Sequence, residues 1–90
     1  MARRPRGSEK IYMDKKRFGY FPQRFTWRGH RYDVEAVERC WTVMGRLQKS
    51  SRLCFRVRCV TPKGYGGGTF ELYQDLKSDS WHLHRIVSRI

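Results

Sequence analysis

Ninety residues with 20 Lys and Arg against 8 Asp and Glu carry a formal charge of +12, while 39% of the side chains are hydrophobic and 14% aromatic. A chain this short buries roughly 60–65% of its unfolded surface, so one domain around one modest core is expected, and the aromatic content separates it from a disordered polycation. No apolar run approaches the ~18 residues that span a bilayer, and the opening MARRPRGSEK is basic with no apolar stretch behind it, which points to a soluble, cytoplasmic protein with no membrane role.

The charge is uneven. Residues 1–30 hold 9 basic and 2 acidic side chains, residues 31–60 hold 7 and 3, and residues 61–90 hold 4 and 3. A field of this sign draws polyanions: nucleic acid, an acidic protein or an anionic surface. Cys40, Cys54 and Cys59 are odd in number and cannot all pair within one chain, so they read as thiols in a reducing compartment.

Residues 1–21 read as a basic, partly flexible arm. RRPRGSEK lacks apolar periodicity, and Pro5 and Gly7 break local order. IYMDKKRFGYF then sets Tyr12, Phe18, Tyr20 and Phe21 among Lys15, Lys16 and Arg17, a segment suited to docking on the domain or ordering on a partner. From residue 22 to 90 the signals are those of a single small β domain.

Phe25 and Trp27 alternate with Arg24, Thr26 and Arg28; RGH turns the chain; Tyr32 and Val34 resume opposite Arg31, Asp33 and Glu35, the pattern of a β-hairpin. Val34, Val37 and Trp41 also fit helical spacing, so a turn or one helical turn is expected near Glu35–Val37 before a strand resumes from Glu38 to Met44. LCFRVRCV alternates Leu53, Phe55, Val57 and Cys59 on one face against Cys54, Arg56, Arg58 and Val60 on the other. TPKGYGGG supplies a flexible connection; TFELYQD then turns Phe70 and Leu72 inward with Glu71 and Tyr73 outward, and WHLHRIV turns Trp81 and Leu83 inward with His82 and His84 outward. Continued alternation would bury Arg85, so a β-bulge or a late switch is expected there, letting Ile86 or Val87 turn in. The fold expected is all-β: five short antiparallel strands in a strongly curved sheet or SH3-like barrel, with a core of Phe25, Trp27, Tyr32, Trp41, Phe55, Phe70, Leu72, Trp81 and Leu83.

The outward parity collects Arg24, Arg28, Arg31, Arg56, Arg58, His82 and His84, with Tyr73 as an aromatic platform. Cationic donors for phosphates beside a ring for a base is the combination that single-strand binders use, although charged residues also occupy any solvated strand face. Arg3, Arg4 and Arg6 in the arm, with Lys15, Lys16 and Arg17, extend the set by salt-dependent phosphate contacts. Catalysis and metal binding find less support. No nucleophile pairs with a base, KGYGGG lacks the spacing of a phosphate loop, and Cys54 and Cys59, five residues apart, point to opposite faces of a regular strand. His82 and His84 share a face, and Glu71 or Cys54 would be needed as a further ligand. No cofactor is expected.

RFTWRGHRYDVEAVERCW, FRVRCV, FELYQD and WHLHRI together resemble a family of small bacterial and archaeal domains of unknown function over about residues 22–89. Some relatives in that family are similar to neighbours or appended parts of translesion-polymerase-like proteins, which implies DNA repair as a setting and assigns no residue a role. The function expected is therefore a non-catalytic accessory module that binds DNA or RNA; the alternatives are an adaptor for an acidic protein and, third, a small metal-dependent enzyme.

Overall fold

In the computed structural model, which describes residues 8–44 and 51–89, the period-two alternation is realised as six antiparallel strands and no helix. They are β1 (Glu9–Arg17), β2 (Phe21–Trp27), β3 (His30–Val43), β4 (Arg52–Val60), β5 (Gly68–Asp75) and β6 (Ser80–Arg89). Each strand pairs with the next, and β6 returns to β1 through Glu9–Leu83, Lys10–His82 and Ile11–Trp81, closing the barrel. Closure removes the exposed edges that an open sheet of this composition would present. No described helix is long and apolar enough to cross a membrane.

Residues 22–90 supply five strands, and the sixth is a segment that the sequence assigned to the arm. Ile11 explains why: it is fully buried in the core, and Met13 packs against the same cluster. One isoleucine among charged neighbours is too sparse a signal to announce a strand, yet it fills the position between β2 and β6. Arg3, Arg4 and Arg6 lie outside the described residues.

The core is aromatic. Phe25, Phe55 and Phe70 are wholly buried beside Leu72, Val57 and Cys59, and Phe25 stacks on Tyr32 with ring centroids 5.3 Å apart. Each buried phenyl contributes roughly 1.5–3 kcal/mol by leaving water. Trp27 closes one end: its indole N–H donates to Glu9 Oε1 at 2.7 Å, and Glu9 also pairs with Arg28.

Bulges set which residues face the core. In β3 the register slips between Val34 and Ala36 and again between Val37 and Arg39, so Tyr32, Val34, Val37 and Cys40 keep the inner parity at spacings of two, three and three. The helix-like spacing of this segment is thus the signature of two bulges in one continuous strand, and no turn interrupts it. Trp41 falls on the outer face, half-buried, and is not a core residue. The irregularity expected at Arg85 is present: Leu72 faces Leu83 and Glu71 faces Arg85, so His84 is the extra residue and Arg85 stays outside. Ile86 then takes the inner parity opposite Phe70 but stays 37% exposed, and Val87 is 38% exposed.

Two turns set consecutive residues in left-handed backbone. Arg28 and Gly29, at φ 53° and 78°, form a two-residue hairpin turn matched to the twist of β2 and β3. Phe18 and Gly19, at φ 59° and 72°, form the tip between β1 and β2, closed by Tyr20 N–H donating to Arg17 O at 3.1 Å. A phenylalanine at positive φ is unusual, and here its side chain is 85% exposed.

Candidate nucleic-acid interface

The barrel brings the expected cationic residues to its outer face but supplies most of them with an acid. Arg24 and Arg31 share Asp33, at 3.0 and 3.5 Å; Arg28 pairs with Glu9; Arg58 reaches Glu38 at 2.9 Å and Glu35 at 3.5 Å. Arg56 and Arg85 clasp Glu71 from two sides, at 2.8 and 3.0 Å. The charges of these arginines are therefore partly cancelled before any ligand arrives. Arg24, Arg28 and Arg31 belong to the β2–β3 hairpin, Arg56 and Arg58 to the neighbouring β4, and His82 and His84 to β6; Arg85, outside the expected set, sits on β6 with β5 between it and Arg56.

Glu71 sits on the outer face, yet its side chain is only 8% exposed because the two guanidinium groups cover it. Burial alone would push its carboxyl up, but the hydrogen bonds and charges of Arg85 and Arg56 outweigh it and hold the pKa below the ordinary carboxylate range.

Tyr73 is also outward but covered, at 6% exposure. Its ring is held between the Arg52 guanidinium, 4.4 Å from the centroid, and the His82 imidazole, stacked at 4.8 Å, with His84 against an edge at 6.4 Å. Its hydroxyl hydrogen-bonds with Ser8 Oγ at 2.9 Å. The tyrosine anchors the start of β1 to the barrel wall, and both of its faces are occupied. Desolvation lowers the pKa of His82, with Lys10 and Arg52 acting in the same direction and Asp75 against it.

No group of three metal-ligating side chains assembles among the described residues. Cys59 lies in the core, where burial pushes its thiol up to about 12; Cys54 lies on the outer face under cover, and burial raises its pKa as well. Cys40 is exposed.

A groove with cationic rims lies where β2 and β3 part. Their pairing runs from Arg24–Asp33 to Trp27–His30; beyond Asp33, β3 pairs with β4 alone. The seam is a groove of about 470 Å³ with an apolar floor of Phe21, Pro22, Val34, Ala36 and Val37. One wall ends in Arg17 and Phe18, at the tip of the β1–β2 hairpin, and the other in Arg39 and Cys40. Glu35 and Glu38 also line it, but Arg58 pairs with both. Lys15 and Lys16 precede the tip, and the Arg39 guanidinium lies over the Trp41 ring at 4.8 Å, with no carboxylate partner among the described residues. Register continues this rim across the sheet: Arg39 faces Arg56, Arg56 faces Glu71, and Glu71 faces Arg85. Beside it, Trp41 faces Cys54 and Cys54 faces Tyr73.

Of the expected residues, Arg17 lines the groove, Arg58 pairs with its two glutamates and Arg56 faces Arg39 on the rim; Lys15 and Lys16 precede the tip, with Lys16 lining a separate cavity beside Trp81, and Tyr73, His82 and His84 form a covered cluster further along the outer face. Sequence reasoning missed Arg39, Trp41, Arg52, Arg85 and Phe18. The hairpin tip was findable, since KKRFGY places a glycine after a bulky residue at the end of a basic run; the Arg39–Trp41 pair was hidden by the helical reading of β3.

Residues 7–88 match a family model described as a domain of unknown function, DUF6504. No curated protein and no solved structure matches the chain.

Proposed function

The chain belongs to the DUF6504 family, and we propose from the geometry of its groove that it is a non-catalytic, cytoplasmic module that binds single-stranded nucleic acid with little sequence preference. The observation that carries this reading is the seam itself: a groove of about 470 Å³ with an apolar floor, Arg17 and Phe18 on one rim and Arg39 on the other. Phosphates would lie along Lys15, Lys16, Arg17 and Arg39, while bases stack on Phe18 and on the open side of Trp41. This is the division of labour in single-strand grooves, where cations track the backbone and π-faces accept any base. The strand would continue over Arg56 and Arg85, whose pairing with Glu71 moderates their pull. DNA repair, as an accessory factor, is the setting proposed for this activity; it is supported by the resemblance of some relatives to neighbours or appended parts of translesion-polymerase-like proteins.

Four phosphate contacts on a single strand give a salt slope near −2.8, so affinity falls about 50-fold between roughly 50 and 200 mM salt. The test is a fluorescence-anisotropy titration of single- and double-stranded DNA and RNA across that range, with heparin as a competitor. Trp41→Ala should weaken single-strand binding about 5- to 150-fold, the range for losing one stacked base. Equal affinity for heparin and oligonucleotide, with no loss on Trp41→Ala, would overturn the reading and leave an acidic protein as the partner to seek.

A further inference from the structure

A second cavity, at the end of the barrel away from the groove's seam, is built from the β2–β3 turn, the 61–68 connection and the last residues of β6. We infer that it binds a phosphate monoester. Its volume is about 300 Å³, and His30, Arg31, Lys63, Tyr65, Gly66 and Arg89 contribute to its walls, with no carboxylate side chain lining it among the described residues. Volumes of this size lie at the lower end of small-ligand sites.

Arg89 gives the cavity its character. Six other arginines of the barrel are neutralised by carboxylates, but Arg89 is held by neutral groups: Nε donates to Gly66 O at 3.3 Å, Nη2 donates to Tyr32 Oη at 3.2 Å, and Cζ lies 5.4 and 5.8 Å from the ring centroids of Trp27 and Phe70. The guanidinium is held in place, and no carboxylate among the described residues cancels its charge. Lys63 likewise has no carboxylate partner among the described residues, and only Arg31 shares its charge, with Asp33. A pre-set guanidinium and an exposed ammonium lining the same cavity suit a compact, doubly charged anion.

The connection that carries Lys63 is held in shape. Gly64 N–H donates to Thr61 O at 3.0 Å, and Thr61 Oγ1 donates to Tyr65 O at 2.5 Å. Gly67 and Gly68 let it lie directly on the neighbouring strands: a Cβ at Gly67 would meet Cys59 O at 2.3 Å, and one at Gly68 would meet Ser88 O at 2.1 Å. Tyr65, 67% exposed at the rim, is placed to cover a base or sugar attached to the phosphate. The phosphate could belong to a free mononucleotide or to the end of a nucleic-acid strand.

Amide and arginine-side-chain NMR of the full chain, titrated with adenosine monophosphate, inorganic phosphate and adenosine, tests this. Adenosine monophosphate and phosphate should shift Lys63, Tyr65, Gly66 and Arg89, adenosine should not, and Lys63→Ala should weaken the monophosphate about tenfold without lowering the melting temperature. Lys63 is exposed and has no carboxylate partner among the described residues, so this variant should keep the fold, whereas Arg89→Ala also removes packing on Trp27. An end-phosphorylated trinucleotide binding more tightly than adenosine monophosphate identifies a strand end, and equal binding identifies a free nucleotide; both support the phosphate site. Equal shifts with adenosine, shifts confined to the groove, or unchanged affinity in Lys63→Ala would overturn it. Trp41→Ala should leave the monophosphate titration unaltered, so failure of the groove and failure of this cavity are separately visible.

Discussion

Replacing Glu71 with Gln separates what holds the barrel from what draws a ligand, because the same carboxylate stabilises one and restrains the other. The side chain accepts three hydrogen bonds: from Arg56 Nε and Nη2 at 3.1 and 2.8 Å and from Arg85 Nε at 3.0 Å. Losing one partner of a buried pair costs about 3–5 kcal/mol, but the Arg85 and Arg56 side chains are 56% and 29% exposed and recover much of their hydration. A loss of about 2 kcal/mol is therefore expected, lowering the melting temperature by roughly 8–16 °C for a domain of this size. Because the folded pKa of Glu71 lies below its unfolded value of about 4.3, the wild type keeps this contribution above that pH and loses it as pH falls through the folded value. The stability difference between wild type and Glu71→Gln should be flat above about pH 5 and close below it. Binding should move the other way: two released guanidiniums each add about 0.7 to the single-strand salt slope, steepening it by up to about 1.4. Urea unfolding followed by tryptophan fluorescence, beside the anisotropy titration, measures both. An unchanged midpoint would refute the energetic argument, and an unchanged slope in a folded variant would show that the Arg56–Arg85 face lies outside the interface.

Gly68 sits in β5 at φ 148°, between Cys59 and Arg89 in register, and Gly68→Ala would drive a methyl group into the backbone of β6; a loss of at least about 3 kcal/mol in denaturant unfolding is expected, with chemical-shift changes concentrated at Ser88 and Arg89. Thiol labelling should find Cys40 reactive in the native protein, with Cys54 and Cys59 modified only on unfolding, because both are buried and their thiolates are disfavoured; rapid native labelling of Cys59, read by mass spectrometry, would contradict a closed barrel.

Alternation at period two was enough to read β2, β4, β5 and most of β6 from the chain, and with them an all-β, strongly curved architecture and nearly all of the aromatic core. The bulge that keeps Arg85 out of the core was legible for the same reason, since a guanidinium has no place among Phe55, Phe70 and Trp81. Other features were not local properties. Ile11 makes a strand of β1 only because β2 and β6 leave a gap beside it, and the bulges in β3 imitate a helical period, which hid the outward position of Trp41. Pairing of charges was equally out of reach: a sequence gives the sign of each side chain, but only register decides that Glu71 lies between Arg56 and Arg85, that Arg58 answers Glu35 and Glu38, and that Arg39 and Arg89 are left over. The net charge of +12 was fixed by composition. Where that charge remains free to act was decided by strand order and bulges, because ion pairing depends on a few ångströms of cross-strand distance that no one-dimensional pattern contains.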